Sequence, residues 1–331
     1  MKQSLRGSRI AGTGHYCPER VLTNFDLEKM VDTSDEWILT RTGIRERRIA
    51  AREEATSDLA FAAARAALDN AKLGPGDLDG IIVGTVSGDM IFPATSCLIQ
   101  DRLGATKAAA FDMNAACCGF IFGVSTAHAL IASGQMNKVL VVGVEVLSKL
   151  TDWSDRATCV LFGDGAGAVV LEPCEPGEGV LGTYMRSDGA LADLLYIRAG
   201  GTRYPTSLES VQNKDHFIKM KGDGVFKYAV RAMEDAAQQV LEQANLRLDD
   251  VDVFIPHQAN VRIIDAVQRR LGLPEQKVVV TLEKYGNMSS ATIPIALDEA
   301  ARNGRVKKGD LVLLVAFGGG LTWGAVLLRY V

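Results

Sequence analysis

Asp77-Leu78-Asp79-Gly80-Ile81-Ile82-Val83-Gly84 has a counterpart in Asp250-Val251-Asp252-Val253-Phe254-Ile255-Pro256-His257. In both, a polar start runs into a short apolar run, and a helix-length segment comes before it: Ser57 to Ala71 and Tyr228 to Ala244. An apolar run of this length bounded by turn residues reads as a buried strand of a largely parallel sheet. Working outward, Phe111-Asp112-Met113-Asn114 matches Lys284-Tyr285-Gly286-Asn287, and Val139-Leu140-Val141-Val142-Gly143 matches Val312-Leu313-Leu314-Val315-Ala316. The three matches share one offset of 173 residues (257 − 84, 287 − 114 and 316 − 143). A single repeated spacing points to duplication rather than to the general likeness of α/β strands. The expected fold class is α/β, in two similar halves spanning residues 1–173 and 174–331.

Composition narrows the function classes. The 331 residues are 47% hydrophobic and 23% charged, with a net charge of −4, which suffices for two fused cores and gives no reason to expect a nucleic-acid partner. Six cysteines (Cys17, Cys97, Cys117, Cys118, Cys159, Cys174) show neither a CxxC pair nor a metal-ligand spacing, so no metal site is expected. The pattern fits reduced thiols in the cytoplasm better than a disulfide framework. The N-terminus has no signal-like apolar region, and no apolar run reaches the roughly 18 residues of a membrane span.

The chemistry centres on Asn114-Ala115-Ala116-Cys117-Cys118-Gly119-Phe120, between an expected buried strand (Ala108 to Met113) and an apolar helix beginning near Gly119. A thiol on a helix's first turn meets unpaired N–H groups and the positive end of the dipole, both of which favour thiolate. The competing account is a buried structural cysteine. Duplication brings equivalent loops together at strand C-terminal ends, pairing Asn114 with Asn287, Gly84 with His257 and Cys117 with Ser290. A Cys117-His257-Asn287 cluster built across the two halves is therefore expected. His257 could instead be a satisfied structural histidine, and Asn287 could merely cap the following helix, which would leave it no free side-chain donor. Gly318-Gly319-Gly320 permits close backbone approach, as a turn or as an oxyanion donor. Phe162-Gly163-Asp164-Gly165-Ala166-Gly167 lacks phosphate-loop spacing and reads as a strand-to-strand turn.

At these residues the chain resembles the 3-oxoacyl-[acyl-carrier-protein] synthase III family of condensing enzymes, along nearly its entire length. The resemblance rests on Asp32-Thr33-Ser34-Asp35-Glu36-Trp37-Ile38, Arg41-Thr42-Gly43-Ile44-Arg45-Glu46-Arg47, Ala115 to Phe120, Pro256-His257-Gln258-Ala259-Asn260, Tyr285-Gly286-Asn287 and Phe317 to Gly324. It implies the thiolase fold, a five-layer αβαβα sandwich, in a homodimer. It implies Cys117 as nucleophile, His257 and Asn287 as its partners, and an oxyanion hole from the N–H groups of Cys117 and Gly319. Thr33, Trp37, Arg41, Arg156 and Asn260 would hold coenzyme A, with adenine between Trp37 and Arg156. Phe92, Leu161, Met220, Gly222 and Phe226 would form the acyl pocket, Phe92 reaching into the partner subunit. Lys227, Arg262, Arg269 and Arg270 would meet an acidic acyl carrier protein, Arg262 and Arg269 sharing a helix face. The implied reaction joins a short acyl-CoA to malonyl-acyl carrier protein with loss of CO2; acyl-CoA is a substrate, and no cofactor is implied. Cys118 stands where relatives usually carry Ala or Ser. Condensing enzymes of polyketide, quinolone or long-chain ketone synthesis are the nearest alternatives, and a non-catalytic acyl-CoA binder is a more distant one.

Overall fold

The computed structural model describes residues 6–331; the first five residues, with which the expected N-terminal half and the N-terminal reading begin, lie outside the described residues. One sheet consists of β1 (Gly7–Tyr16), β2 (Gly80–Gly84), β3 (Ala109–Met113), β4 (Val139–Val146) and β5 (Asp164–Cys174), in the order β1-β5-β4-β2-β3. A second consists of β6 (Gly179–Ser187), β7 (Val253–Pro256), β8 (Leu311–Gly318) and β9 (Thr322–Arg329), in the order β6-β9-β8-β7. In the first, β2 lies parallel to β3 and β4, while β4 pairs antiparallel with β5 and β5 with β1. The second repeats this: β7 parallel to β8, β8 antiparallel to β9, β9 antiparallel to β6.

The repeat fails at one strand. Where β3 should recur, Leu282–Tyr285 forms a helical turn, and the edge of the second sheet holds only a parallel bridge between Phe254 and Val278. Leu282 and Tyr285 are both buried. Residues three apart share a face on a helix and lie on opposite faces of a strand, so burying both selects the turn. β3 itself was expected to be buried, but its edge position leaves it largely half-exposed.

Among the described residues, seven helices of eight residues or more complete the layers. α1 (Asp35–Thr42) packs on α6 (Val261–Leu271), which with α5 (Gly222–Gln243) covers the outer face of the second sheet. α2 (Thr56–Ala71) and α3 (Thr95–Leu103) cover the outer face of the first. Between the sheets lie α4 (Gly119–Ala132) and α7 (Thr292–Arg302). The result is the five-layer αβαβα sandwich of the thiolase fold. A helix between two sheets must be apolar on most sides. α4 meets this with Phe120, Ile121, Val124, Ala127 and Ile131, all buried. The start of α4 lies so close to the end of β2 that a Cβ on Gly84 would sit 2.5 Å from the Gly119 carbonyl carbon. The helix start is thereby pressed against the strand ends. Among the described residues, no helix is long and apolar enough to cross a membrane.

Candidate active site

Cys117 lies in a 3-10 turn, Ala116–Cys118, immediately before α4. Ala116 takes φ = +47°, left-handed backbone that costs a non-glycine residue about 1–3 kcal/mol unless its surroundings hold it. Exactly 173 residues on, Ser289 repeats this with φ = +46° before α7 (289 − 116), so the duplication extends to the strained backbone. Gly318 makes room for the nucleophile turn: a Cβ there would fall 2.6 Å from the Cys117 nitrogen.

Cys117, His257 and Asn287 line one cleft of about 360 Å³, and all three are buried. The backbone N–H groups of Cys117 and Gly319 and the Ser289 hydroxyl all favour a charged sulfur, but burial outweighs them and pushes the Cys117 thiol up to about 11. The expected depressed thiol pKa is thus reversed by desolvation, and the sulfur rests protonated. Burial also takes the His257 imidazole down to about 3, so the ring is neutral. Asn287 does not cap the following helix, since Met288 and Ala291 stand at the N-caps of the 3-10 turn Ser289–Ala291 and of α7 without a side-chain cap. Its Oδ1 instead accepts the N–H of Ser289, two residues on, at 2.8 Å, a bond that uses the amide oxygen and not the amide nitrogen.

At the cleft's outer part, the guanidinium groups of Arg41 and Arg156 each lie 4.8 Å from the Trp37 ring centroid. Arg156 donates to the Asp32 carbonyl at 2.8 Å. Asn260 caps α6 through Arg262 N–H and donates to the Arg41 carbonyl at 3.0 Å. Thr33 lies nearby in sequence, its hydroxyl buried without a hydrogen-bond partner among the described residues. Leu161, Met220, Gly222 and Phe226 line this same cleft. A second cavity of about 380 Å³ opens on the other side of Cys117, lined by Val86, Leu147, Phe162, Leu195, Ile197 and Ile218 among others. Phe92 lines neither cavity and is 82% exposed, as a residue expected to reach a partner subunit would be in a single chain. The ribbon Leu195–Ile197/Ile218–Met220 borders both: Met220 lines the cleft and Ile218 the second cavity.

The comparisons agree with this architecture. The profile of "3-Oxoacyl-[acyl-carrier-protein (ACP)] synthase III" matches residues 111–189, and that of its C-terminal part matches residues 241–330. Beta-ketoacyl-[acyl-carrier-protein] synthase III of Desulfitobacterium hafniense (strain DSM 10664 / DCB-2) is 56% identical over 321 residues, covering 97% of each chain. The chain belongs to the 3-oxoacyl-[acyl-carrier-protein] synthase III family. The crystal structure of the 3-oxoacyl-[acyl-carrier-protein] synthase III of Aquifex aeolicus VF5 superposes with a TM-score of 0.91 at 52% identity, over 98% of this chain and 100% of that one. The priming β-ketosynthase of the R1128 polyketide pathway superposes with a TM-score of 0.92 at 37% identity, over 100% and 98%. The protein is an acyltransferase that carries out the initiating condensation of fatty-acid synthesis.

In this synthase the basic residues fall into two places. Arg262 lines the cleft, its guanidinium 5.7 Å from the Phe226 ring centroid. Lys227, Arg269 and Arg270 line a separate groove of about 470 Å³ between α5 and α6, so Arg262 and Arg269 do not serve one hollow. Arg231, missed in the sequence, joins that groove; its position four residues after Lys227 on one helix was the available signal. Arg270 is partly neutralised by Glu234 at 2.6 Å. The Phe162–Gly163 segment is more than a turn. Asn287 N–H donates to the Leu161 carbonyl at 2.8 Å and Gly163 N–H to the Asn287 carbonyl at 3.1 Å, which clamps Asn287 from both sides. A fully buried carboxyl, Glu145, also escaped notice. It accepts from the Ser87 hydroxyl at 2.6 Å, the Val86 N–H at 3.1 Å and the Thr85 hydroxyl at 3.2 Å, and burial raises it to about 7.

Proposed function

We propose that Cys117 carries the acyl group of a short acyl-CoA and condenses it with malonyl-acyl carrier protein. The sulfur attacks the thioester carbonyl, CoA departs, and an acyl-Cys117 thioester remains. Malonyl-acyl carrier protein then loses CO2. The enolate oxygen accepts from Asn287 Nδ2 and His257 Nε2, and its carbon attacks the acyl-Cys117 carbonyl. The resulting oxyanion lies between the N–H groups of Cys117 and Gly319. Thiol, imidazole and amides supply every bond change, so the reaction calls for no metal or redox cofactor. The observation that carries this reading is the meeting of Cys117, from the first half, with His257 and Asn287, from the second, in one buried cleft.

In the same reading Thr33, Trp37, Arg41, Arg156 and Asn260 hold coenzyme A. Adenine would part the Arg156 guanidinium from the Trp37 ring, two flat surfaces already in contact distance. The primer's chain enters the cavity beyond Cys117. The acidic carrier protein docks on Lys227, Arg231, Arg262, Arg269 and Arg270. The halves divide in the connection between β5, which ends at Cys174, and β6, which begins at Gly179. The enzyme works as a homodimer in the cytoplasm, consistent with six free thiols. The half-exposed edge strand β3 and the exposed Met90, Ile91 and Phe92 supply surface for a second copy.

Mass spectrometry after incubation with acetyl-CoA tests the core claim. The parent protein and Cys118→Ala should acquire one acetyl group on the Cys117 peptide, and Cys117→Ser should acquire none. Label recovered on Cys118 would overturn the assignment.

A further inference from the structure

Arg47 ends the motif that runs from Arg41, and its side chain is wholly buried. Among the described residues it makes no ion pair. The guanidinium donates instead to the Leu22 carbonyl at 3.2 Å, to Asn24 Oδ1 at 2.9 Å and to the Val160 carbonyl at 2.8 Å. Burial pulls it down to about 10, which still leaves it charged at neutral pH. Taking a charge out of water is costly, so a cation kept there without a carboxylate contributes little to stability for its own sake. Its two terminal nitrogens reach different elements. Asn24 is buried too, and its Nδ2 donates to Asp35 Oδ1 at 2.9 Å and to the Ile44 carbonyl at 2.8 Å. Asp35 begins α1 and Ile44 follows its C-cap, Gly43, so Asn24 grips both ends of the helix that carries Trp37 and Arg41. Val160 is the C-cap of the turn Arg156–Cys159. Arg156 also reaches the Asp32 carbonyl, but that contact is exposed to water, whereas the Arg47 bonds are buried. We infer that Arg47 is a positioning residue that sets the spacing of α1 and the Arg156 turn, and through that spacing selects thioesters that carry a nucleotide. This rests on the reading of Trp37 and Arg156 as the adenine clamp.

The stem of Arg47 lies elsewhere than its guanidinium. A Cβ on Gly163 would fall 3.1 Å from the Arg47 Cβ, and one on Gly286 would fall 3.3 Å from it. These glycines belong to the two segments that meet at Asn287: Leu161 to Gly163, which clamps it, and Tyr285 to Asn287 itself. Stem and charge therefore have separable effects. The Trp37 and Arg156 side chains can swing apart to admit adenine, while the backbones that bear them stay at the distance the guanidinium fixes. Removing the guanidinium and keeping the stem should spare the chemistry and weaken the grip on the nucleotide. A purely structural role would affect every primer alike.

The test compares acetyl-CoA with acetyl-pantetheine, the same thioester without its nucleotide, on the full-length enzyme. The parent should show the lower KM for acetyl-CoA. In Arg47→Met that KM should rise about tenfold, the scale of a lost stacking contact, while KM for acetyl-pantetheine and the saturating single-turnover acylation rate stay within about threefold. Asn24→Asp still accepts from Arg47 but no longer donates to Asp35 and Ile44, and it should give the same one-sided rise. It decides the matter if Arg47→Met does not fold. A KM that rises equally for both primers, or one for acetyl-CoA that stays at the parent value in these variants, overturns the inference. Equal KM values for the two primers in the parent, or a Trp37→Ala variant with unchanged KM for acetyl-CoA, would overturn the clamp reading and the inference with it.

Discussion

At the scale of single residues, the site depends on groups that meet two demands at once. Cys117 has helix-start and loop N–H groups around its sulfur, yet burial decides its protonation. The N–H groups are therefore best placed for the oxyanion, a charge that exists only during reaction. Asn287 spends its carbonyl oxygen on the Ser289 N–H and keeps its amide nitrogen for substrate. This division can be separated experimentally. Asn287→Asp keeps an acceptor for Ser289 and loses the donor, whereas Asn287→Ala loses both. Both variants should decarboxylate malonyl-carrier protein about 100- to 1,000-fold more slowly, the loss typical of one oxyanion donor, while still being acylated by acetyl-CoA. Thermal unfolding should show Asn287→Asp closer to the parent than Asn287→Ala, because losing one buried hydrogen bond costs about 1 kcal/mol. Parent-rate decarboxylation by Asn287→Asp would show that the amide nitrogen has no part in it.

At the scale of elements, the sequence was most legible where burial imposes a period. β2 and β7 are fully buried on both faces, so their apolar runs and matched flanks stood out, and with them the offset that brings His257 and Asn287 to Cys117. What stayed hidden depends on pairing between distant segments. Nothing local marks the three-residue strands Leu195–Ile197 and Ile218–Met220 as partners, so the second cavity beside Cys117 was not legible. Nothing in Phe162-Gly163 tells of its bridge to Asn287 either. On the outer helices, by contrast, spacing is informative: Lys227 and Arg231 lie one turn apart on α5 and face Arg269 across the groove. If the carrier protein docks there, exposed charges carry the contact, and such charges are screened over about 8 Å at physiological salt. Raising salt, or the double change Lys227→Ala with Arg231→Ala, should raise KM for malonyl-carrier protein several-fold and leave KM for acetyl-CoA nearly unchanged. Trp37→Ala should do the reverse. A carrier-protein KM indifferent to both salt and the double change would remove the groove from the docking surface.

At the scale of the whole molecule, two of the titratable groups that folding buries, His257 and Glu145, affect stability in opposite directions. His257 is held at about 3, below its ordinary 6.5, so between those values the folded chain binds fewer protons than the unfolded one. Stability from this group is complete above pH 6.5 and is lost as pH falls toward 3. Glu145 is held at about 7, above its ordinary 4.5, so across that window the folded chain binds more protons. Its contribution is complete below pH 4.5 and is lost as pH rises to 7. Between pH 4.5 and 6.5 the two slopes offset each other, and outside that range one acts alone. Glu145→Gln keeps the shape and an acceptor for the Val86 N–H and removes the titration. Measured by urea unfolding, its stability relative to the parent should climb between pH 5 and pH 8 by up to about 3 kcal/mol, at 1.36 kcal/mol per pKa unit. His257→Gln should gain relative to the parent in the other direction, as pH falls below 6.5. Every other titrating group is common to parent and variant and cancels in the difference. A Glu145→Gln difference that stays constant from pH 5 to pH 8 would mean that the carboxyl is already charged in the folded protein. Its hydroxyl and amide donors would then outweigh its burial.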